Sequence, residues 1–250
     1  MVINVGWLEK LVNAGALYAH TLQGRMYPET TRPGPCGCGF CCDQDPCFSI
    51  SNVARKMRVR GRRALLPKEK PMSDSNQTIV LGGGCFWCTE SVFVAVQGVV
   101  DVESGYSNGQ VVRPSYEQVC TGRTGCNEVV RLVFDPALIS LREVLEVFFV
   151  IHDPTTLNRQ GNDAGTQYRS GIYFNDAAQQ EVAQGVIAEM AASGVYRQPI
   201  VTEVLPLANY WPAEDYHQDF FARNPGQGYC VAVAAPKVAK FRKTFARLAK

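Results

Sequence analysis

Histidine is scarce in this chain of 250 residues, which has three histidines against ten cysteines. Its formal charge is nearly balanced at +2, so composition as a whole gives no reason to expect a nucleic acid or a membrane surface as partner. No apolar run approaches the ~18 residues that a membrane-spanning helix needs. The apolar stretch at 11–19 follows Glu9 and Lys10 and precedes no clear small-residue cleavage site, which argues against a signal peptide.

The cysteines form two equal groups. The first crowds one short segment and the second is spread along the rest of the chain: Cys36, Cys38, Cys41, Cys42 and Cys47, then Cys85, Cys88, Cys120, Cys126 and Cys230. A chain of this length does not need disulfides to fold. The scattered group therefore indicates intracellular thiols, some of them reactive, and a cytoplasmic location.

Residues 1–76 differ in character from residues 77–250. They hold the clustered cysteines, whose spacing fits no usual zinc site, and a basic run at 54–70 without aromatic residues to stack on bases. We predict an irregular extension at 1–76, either disordered or outside the natural product, with Met57 and Met72 as alternative starts. A metal-binding or nucleic-acid-binding role for this extension is the non-enzyme alternative. The remainder, 77–250, is predicted to form one domain.

From residue 77 onward the apolar pattern becomes regular. Strands are predicted at 78–81, 99–107, 127–134, 168–174 and 200–207, and helices at 89–96, 140–152, 176–193, 214–224 and 236–250. Asp176 is the predicted N-cap of the third helix. Strands and helices mix without strict alternation, which predicts an α+β domain of two layers.

The stretch GGGCFWCTE at 82–90 sets a thiol after three glycines and before two aromatic residues. Cys85 follows a strand and opens a helix, where free backbone N–H groups favour a thiolate. The glycines allow a sharp turn and an accessible sulfur, and Phe86 and Trp87 supply an apolar wall. The alternative is a buried structural cysteine between two core aromatic residues.

Glu128 lies in the strand predicted at 127–134. Because side chains alternate along a strand, Glu128 shares a face with the apolar residues Val130, Leu132 and Phe134. A carboxyl group on a buried face has a raised pKa and can act as a general acid near neutral pH. The alternative is a strand-end carboxylate that reaches solvent. A thiolate, an acid and an apolar wall together suit methionine sulfoxide, which has a methyl group, an electrophilic sulfur and a basic oxygen.

At these residues the chain strongly resembles the peptide-methionine (S)-S-oxide reductases. The matching motifs occur in the family's order over roughly 78–245: GGGCFWCTE, SGYSNG, PSYEQVCTG, GCNEVV, HDPTTLNRQGNDAGTQYRSGIYF, EDYHQ and NPGQGYC. The resemblance implies a ferredoxin-like α/β sandwich with a mobile C-terminal tail. It also implies reduction of the S-epimer of methionine sulfoxide, free or in proteins, without metal or organic cofactor, by a monomer that needs neither nucleic acid nor membrane.

The same resemblance implies a role for each site residue. Cys85 is the implied nucleophile, which becomes a sulfenic acid, and Phe86 and Trp87 hold the substrate methyl group. Glu128 is the implied proton donor to the sulfoxide oxygen. Tyr116 and Tyr168 are the implied hydroxyl donors to that oxygen, and Asp163 is the implied acid that positions the substrate. His217 is expected to support the site without contacting the substrate.

Regeneration of Cys85 requires a second thiol, because a sulfenic acid condenses with a thiol to a disulfide. Cys230 matches the family's usual resolving cysteine, and thioredoxin is the implied reductant. Cys88, where the family often has glycine, forms a C-x-x-C with Cys85 and is the alternative, and a relay through both is open. Cys126 stands where the family usually has histidine and adds a further thiol near the predicted site, whereas Cys120 is predicted to be buried in the core.

A general thiol–disulfide oxidoreductase built on Cys85 and Cys88 is the rival enzyme. It accounts for the stretch at 82–90, and it leaves Glu128, Tyr116 and Tyr168 without a purpose.

Overall fold

A computed structural model describes residues 75–250. The clustered cysteines and the basic run predicted from sequence lie outside the described residues. The strands are β1 Gln77–Gly83, β2 Val99–Ser107, β3 Asn127–Phe134, β4 Arg159–Gln160, β5 Asp163–Ala164, β6 Ser170–Phe174, β7 Glu203–Pro206 and β8 Tyr210–Pro212. The α-helices are α1 Phe86–Phe93, α2 Tyr116–Cys120, α3 Leu141–Ile151, α4 Ala177–Ser193, α5 Phe220–Arg223 and α6 Ala235–Thr244.

Six strands form one mixed sheet in the order β7-β6-β1-β3-β2-β8, and β4 and β5 form a separate hairpin. All neighbours in the large sheet are antiparallel except β6 and β7, which are parallel. Helices α1, α3, α4 and α6 contact one another or the sheet and bury a continuous apolar core. A smaller cluster of Val80, Val129 and Tyr173 covers the other face of the sheet. The mixed α/β character predicted from the sequence is confirmed.

The end of the first predicted strand and the start of the first predicted helix both differ from the prediction. Strand β1 continues to Gly83, beyond the predicted end at 81, because Gly82 and Gly83 pair with β6. Helix α1 begins at Phe86 and not at residue 89, since Cys85 already has the extended backbone of an N-cap residue. Further along, Asp176 caps α4 as predicted by accepting a hydrogen bond from the N–H of Gln179.

The second half of the chain departs further from the predicted elements. The helix predicted at 214–224 is two short pieces, because Asp219 has a left-handed backbone with φ of 52° that interrupts it. The strand predicted at 168–174 begins only at Ser170, since Thr166–Tyr168 forms a 3₁₀ turn. The strand predicted at 200–207 is confined to β7. The helix predicted at 236–250 ends at Thr244 and is preceded by a π-helical turn at Cys230–Ala234.

Candidate active site

The junction between β1 and α1 presents Cys85 at a helix N-terminus. Gly84 has a φ of 89°, a conformation that other residues rarely adopt. A Cβ atom at Gly84 would also lie 2.6 Å from the side chain of Gln160. The sharp turn predicted for this stretch is confirmed, and Gly84 also permits the close approach of the β4–β5 hairpin, which was not predicted.

The predicted accessibility of the Cys85 sulfur is wrong for this structure. Cys85 is 2% exposed. Helix α1 is covered by α5, α6 and the π-helical turn that precedes α6, all of which pack against it. A glycine-rich turn frees the backbone locally, but elements distant in sequence decide whether the side chain beside it reaches solvent.

Glu128 faces the same helix N-terminus. It is 1% exposed, and its Oε2 accepts a hydrogen bond from the backbone N–H of Phe86 at 3.3 Å. The carboxyl group thus approaches the residue directly after Cys85. Burial raises the pKa of Glu128 well above its ordinary value, although the hydrogen bond from Phe86 acts in the opposite direction. The prediction that Glu128 lies on a buried face is confirmed, and the solvent-exposed alternative is wrong.

Tyr168 and Asp163 come from the segment between α3 and β6. Tyr168 is fully buried in a 3₁₀ turn that packs against β3, the strand of Glu128. Asp163 begins the second strand of the β4–β5 hairpin, and its Oδ2 accepts a hydrogen bond from the hydroxyl group of Tyr229 at 2.7 Å. Burial raises the pKa of Asp163, while that hydrogen bond and Lys237 lower it.

An aromatic cluster surrounds the two residues that follow Cys85. The Trp87 ring stacks on Phe220 with centroids 3.6 Å apart and planes 5° from parallel. The Trp87 indole N–H donates to Nδ1 of His217 at 3.1 Å, and the His217 ring lies 4.9 Å from that of Phe86. Burial lowers the pKa of His217 to about 4, which favours the neutral ring, and a neutral ring has one nitrogen that can accept the indole N–H.

Tyr116 joins this cluster from the start of α2. Its ring centroid lies 4.5 Å from that of His217, and its backbone N–H donates to Oε1 of Glu214. The other carboxylate oxygen of Glu214 accepts from the hydroxyl group of Tyr106 at 2.8 Å. Glu214 thereby fixes α2 and β2 against the turn that carries His217.

Cys88 lies one helical turn from Cys85. Its sulfur donates to the hydroxyl group of Tyr229 at 3.6 Å. A hydrogen bond with Cys85 and burial raise the pKa of Cys88 well above its ordinary value, whereas Lys237 lowers it. Cys230 is fully buried at the start of the π-helical turn, and burial followed by the proximity of Cys88 raises its pKa.

The other scattered cysteines differ in their surroundings. Cys120 is buried, as predicted, and burial raises its pKa to about 12. Cys126 packs closely beneath Gly109, where an added Cβ would lie 2.1 Å from its sulfur, and its backbone N–H donates to Thr124. Neither Gly109 nor Thr124 is a site residue predicted from sequence. All five cysteines within 75–250 are free thiols.

Three residues near the predicted site residues were not predicted from the sequence. Tyr106 pairs directly opposite Glu128 across β2 and β3, and Glu214 and Tyr229 make the hydrogen bonds described above. A signal for Tyr106 was present, since it lies in the strand predicted at 99–107. Tyr229 sits beside the predicted resolving cysteine, but sequence spacing alone does not connect it to Asp163.

Residues 75–250 contain neither a candidate membrane span nor a candidate metal cluster. In that part of the chain, no helix is both long enough and apolar enough to cross a membrane. Within the same range, no group of three or more histidine, cysteine, aspartate or glutamate side chains is arranged to hold a metal ion.

Comparison with known proteins gives a consistent result. The family model described as peptide methionine sulfoxide reductase matches residues 77–249. The peptide methionine sulfoxide reductase MsrA of Polynucleobacter asymbioticus is 55% identical over 168 residues, which are 67% of this chain and 88% of that protein. The MsrA of Trichodesmium erythraeum is 54% identical over 67% of this chain and 95% of its own length.

A solved structure agrees with these sequence matches. The crystal structure of Mxr1 from Saccharomyces cerevisiae in reduced form superposes with a TM-score of 0.58 at 35% identity, over 66% of this chain and 94% of that one. Together with the buried site at Cys85, these matches define an oxidoreductase with a mixed α/β fold. The chain belongs to the peptide methionine sulfoxide reductase family.

Proposed function

We propose that this enzyme reduces the S-epimer of methionine sulfoxide, free or in proteins, as a repair of oxidative damage. The observation that carries the proposal is the approach of the Glu128 carboxyl group to the backbone N–H of Phe86, directly after Cys85. A sulfur nucleophile and a protonated acid at one buried helix N-terminus are the two groups that the reaction needs.

In the proposed first step, Cys85 attacks the sulfoxide sulfur and becomes a sulfenic acid, and methionine leaves. Glu128 supplies a proton to the sulfoxide oxygen, which its burial supports by favouring the neutral acid. Tyr116 and Tyr168 donate hydrogen bonds to the same oxygen, and Asp163 positions the substrate. The contact of the Tyr168 turn with β3 and the buried position of Asp163 support these assignments.

The proposed pocket for the substrate methyl group is formed by Phe86 and Trp87. Stacking of Trp87 on Phe220 and its hydrogen bond to His217 hold the indole ring in one orientation. A rigid apolar wall beside the nucleophile lets the enzyme distinguish the two epimers, because only one of them directs both its methyl group to the wall and its oxygen to Glu128.

The proposed second half of the cycle restores the Cys85 thiol. The sulfenic acid condenses to a disulfide whose final partner is Cys230, reached directly or through Cys88, and thioredoxin reduces that disulfide. The hydrogen bond of Cys88 to Tyr229, the residue before Cys230, and the packing of α1 on the turn that Cys230 begins support a path through both residues. Release of Cys230 requires the C-terminal tail to move, which we keep as part of the proposal.

The remaining assignments are part of the same proposal. Residues 77–250 form the catalytic domain and residues 1–76 an extension. The order β6-β1-β3-β2, with helices after β1 and β3, supports a ferredoxin-like core. The proposed location is the reducing cytoplasm, since Cys85 must start each cycle as a thiol, and the proposed cycle uses a monomer without cofactor.

The decisive experiment compares the two epimers of a methionine sulfoxide substrate, with thioredoxin and its reductase as electron source. Methionine is expected from the S-epimer only. Cys85→Ser should lower that turnover by about 10³-fold or more, since the nucleophile is lost, and Cys120→Ser is the matched control at a cysteine outside the proposed cycle. Equal use of both epimers, or retained turnover in Cys85→Ser, would contradict the proposal. Disulfide reduction without sulfoxide reduction would favour the rival oxidoreductase.

A further inference from the structure

Tyr229 stands in the middle of a line of buried hydrogen-bonding groups. The sulfur of Cys88 lies 3.6 Å from its hydroxyl oxygen, and that hydroxyl group lies 2.7 Å from Oδ2 of Asp163. At its other side the Cys88 thiol is hydrogen-bonded to Cys85. The line therefore runs from Cys85 through Cys88 and Tyr229 to Asp163, and all four side chains are buried.

The tyrosine hydroxyl group can both donate and accept, so this line has two hydrogen arrangements. With Asp163 ionised, Tyr229 donates to the carboxylate and accepts from the Cys88 thiol. With the proton on Asp163, the carboxylic acid donates to Tyr229, and Tyr229 donates to a Cys88 thiolate. Both arrangements use the same three contact atoms, so the change requires a shift of hydrogens and no movement of side chains.

Resting on the function proposed above, we infer that Tyr229 is a catalytic residue of disulfide formation, because its hydroxyl group contacts the reacting sulfur of Cys88. Its hydroxyl group passes the proton of the Cys88 thiol to the Asp163 carboxylate while Cys88 attacks the oxidised sulfur of Cys85. The first disulfide of the cycle is then Cys85–Cys88, and Cys230 subsequently exchanges with it.

The step balances without any outside reagent. The Cys88 sulfur forms the S–S bond with Cys85, and the S–O bond of the sulfenic acid breaks. The Cys88 sulfur is oxidised and the Cys85 sulfur is reduced. The hydroxyl group of the sulfenic acid takes up one proton and leaves as water, and Asp163 gives up the proton that it received, so the net reaction releases one molecule of water.

The charged groups around Cys88, Tyr229 and Asp163 can stabilise a single negative charge that moves from one end of this hydrogen-bonded line to the other. Lys237 lowers the pKa of both Cys88 and Asp163, so it stabilises the charge at either end. The titratable and charged groups facing Cys88 or Asp163 are Cys85, Glu128, Tyr229, Cys230 and Lys237. Burial raises the pKa of Asp163, which makes its carboxylate a better proton acceptor than an exposed one.

Tyr229→Phe tests the inference because it removes the hydroxyl group and keeps a ring at the edge of Trp87, where the centroids are 6.0 Å apart. The full-length protein is mixed with S-methionine sulfoxide in the absence of reductant. Methionine release, sulfenic acid trapped by dimedone, and the identity of the disulfide by peptide mass spectrometry are followed from pH 6 to pH 9. Tyr196→Phe is the matched control, since it loses a tyrosine hydrogen bond to the carbonyl group of Phe149.

In Tyr229→Phe, the ratio of the disulfide-formation rate to the methionine-release rate should fall about tenfold or more at pH 7. The deficit should shrink as pH rises, because hydroxide then removes the thiol proton. Asp163→Asn, which cannot receive a proton, should show the same pH-dependent deficit in this ratio. Tyr196→Phe should behave as the parent enzyme, and Cys230→Ser should accumulate the Cys85–Cys88 disulfide.

Three results would overturn the inference: an unchanged ratio in Tyr229→Phe, a deficit independent of pH, or Cys85–Cys230 as the first disulfide. If the parent enzyme released no methionine, the proposed function would fail instead. Hydrogen peroxide can then oxidise Cys85 in place of the substrate. The ratio of the disulfide-formation rate to the rate of sulfenic acid formation then decides the role of Tyr229.

Discussion

Two buried glutamates, Glu90 within α1 and Glu128 on the neighbouring strand β3, have different surroundings. Glu90, within the helix, accepts hydrogen bonds through Oε1 from the hydroxyl group of Ser104 and the backbone N–H of Asp219. Glu128, on β3, accepts from the N–H of Phe86 and faces the thiols at the start of the helix. Burial raises the pKa of both, to about 7 for Glu90.

The difference separates a carboxyl group that connects structural elements from the one that we propose as the proton donor. Glu90 connects α1 to β2 and to the turn before α5, so its oxygens are committed to protein donors. Glu128 is buried, and both burial and the proximity of Cys88 raise its pKa, which is the environment that the proposed proton donor needs. Burial alone therefore does not separate the two glutamates, whereas the hydrogen-bond partners of their carboxylate oxygens do.

The largest effect is expected from Glu128→Gln. Glutamine keeps the shape of the neutral acid but cannot deliver a proton, so methionine release in a single turnover should slow about 10²-fold or more. In the parent enzyme this rate should fall as pH rises through the raised pKa of Glu128, because the proton to be delivered is lost. Glu90→Gln is the matched control, and an equal slowing in both variants would erase the distinction between the two glutamates.

A smaller effect, on stability, is expected from Glu90→Gln. The pKa of Glu90 is about 7 in the folded protein and 4.5 ordinarily, so the folded state binds the proton more tightly. Its contribution to stability is thus complete below about pH 4.5 and is lost as pH rises through about 7. The free energy of unfolding of Glu90→Gln relative to the parent should therefore increase by roughly 2 kcal/mol from pH 5 to pH 8.

Urea unfolding at pH 5 and pH 8 measures this difference for the parent and for Glu90→Gln. Ser104→Ala, which removes the hydroxyl donor but keeps the carboxyl group, is a suitable control because it retains the titration. A difference between Glu90→Gln and the parent that does not vary with pH would refute the assignment.

The smallest effect is expected at Phe220, where the two regions meet. Phe220 follows Asp219, the residue bonded to Glu90, and its ring stacks on Trp87. Phe220→Leu keeps an apolar side chain and loses the stack, which is worth about 1 kcal/mol, so KM should rise about fivefold with little change in kcat. Phe245→Leu, at a buried ring near the end of the chain, is the control. An unchanged KM in Phe220→Leu would show that the region around Glu90 does not influence the pocket formed by Phe86 and Trp87.

Local patterns predicted the features that depend on neighbours in sequence. The alternation of β3 predicted the buried face of Glu128, and Asp176 was predicted as a cap because a cap is a contact over three residues. The glycines before Cys85 predicted the turn that Gly84 makes. These features need only the geometry of one strand, one helix end or one turn.

Other features were missed or wrong because they depend on packing between distant segments. Helix α1, which begins directly after the buried Cys85, packs against helices that lie more than a hundred residues later, and Tyr229 donates a hydrogen bond to Asp163 over 66 residues. The helix predicted at 214–224 fails at Asp219, whose N–H is directed to Glu90. The periodicity of apolar residues along the chain does not indicate which distant residues become partners.

The order of residues by itself determined that a thiol opens a helix and that a carboxyl group points into the apolar side of a strand, since backbone geometry repeats along each element. Only the tertiary structure decided that this carboxyl group accepts a hydrogen bond from the residue directly after this thiol, and that a tyrosine from the C-terminal segment joins Cys88 to Asp163. The physical reason is that hydrogen bonds and burial act over a few ångströms in space, whatever the separation along the chain.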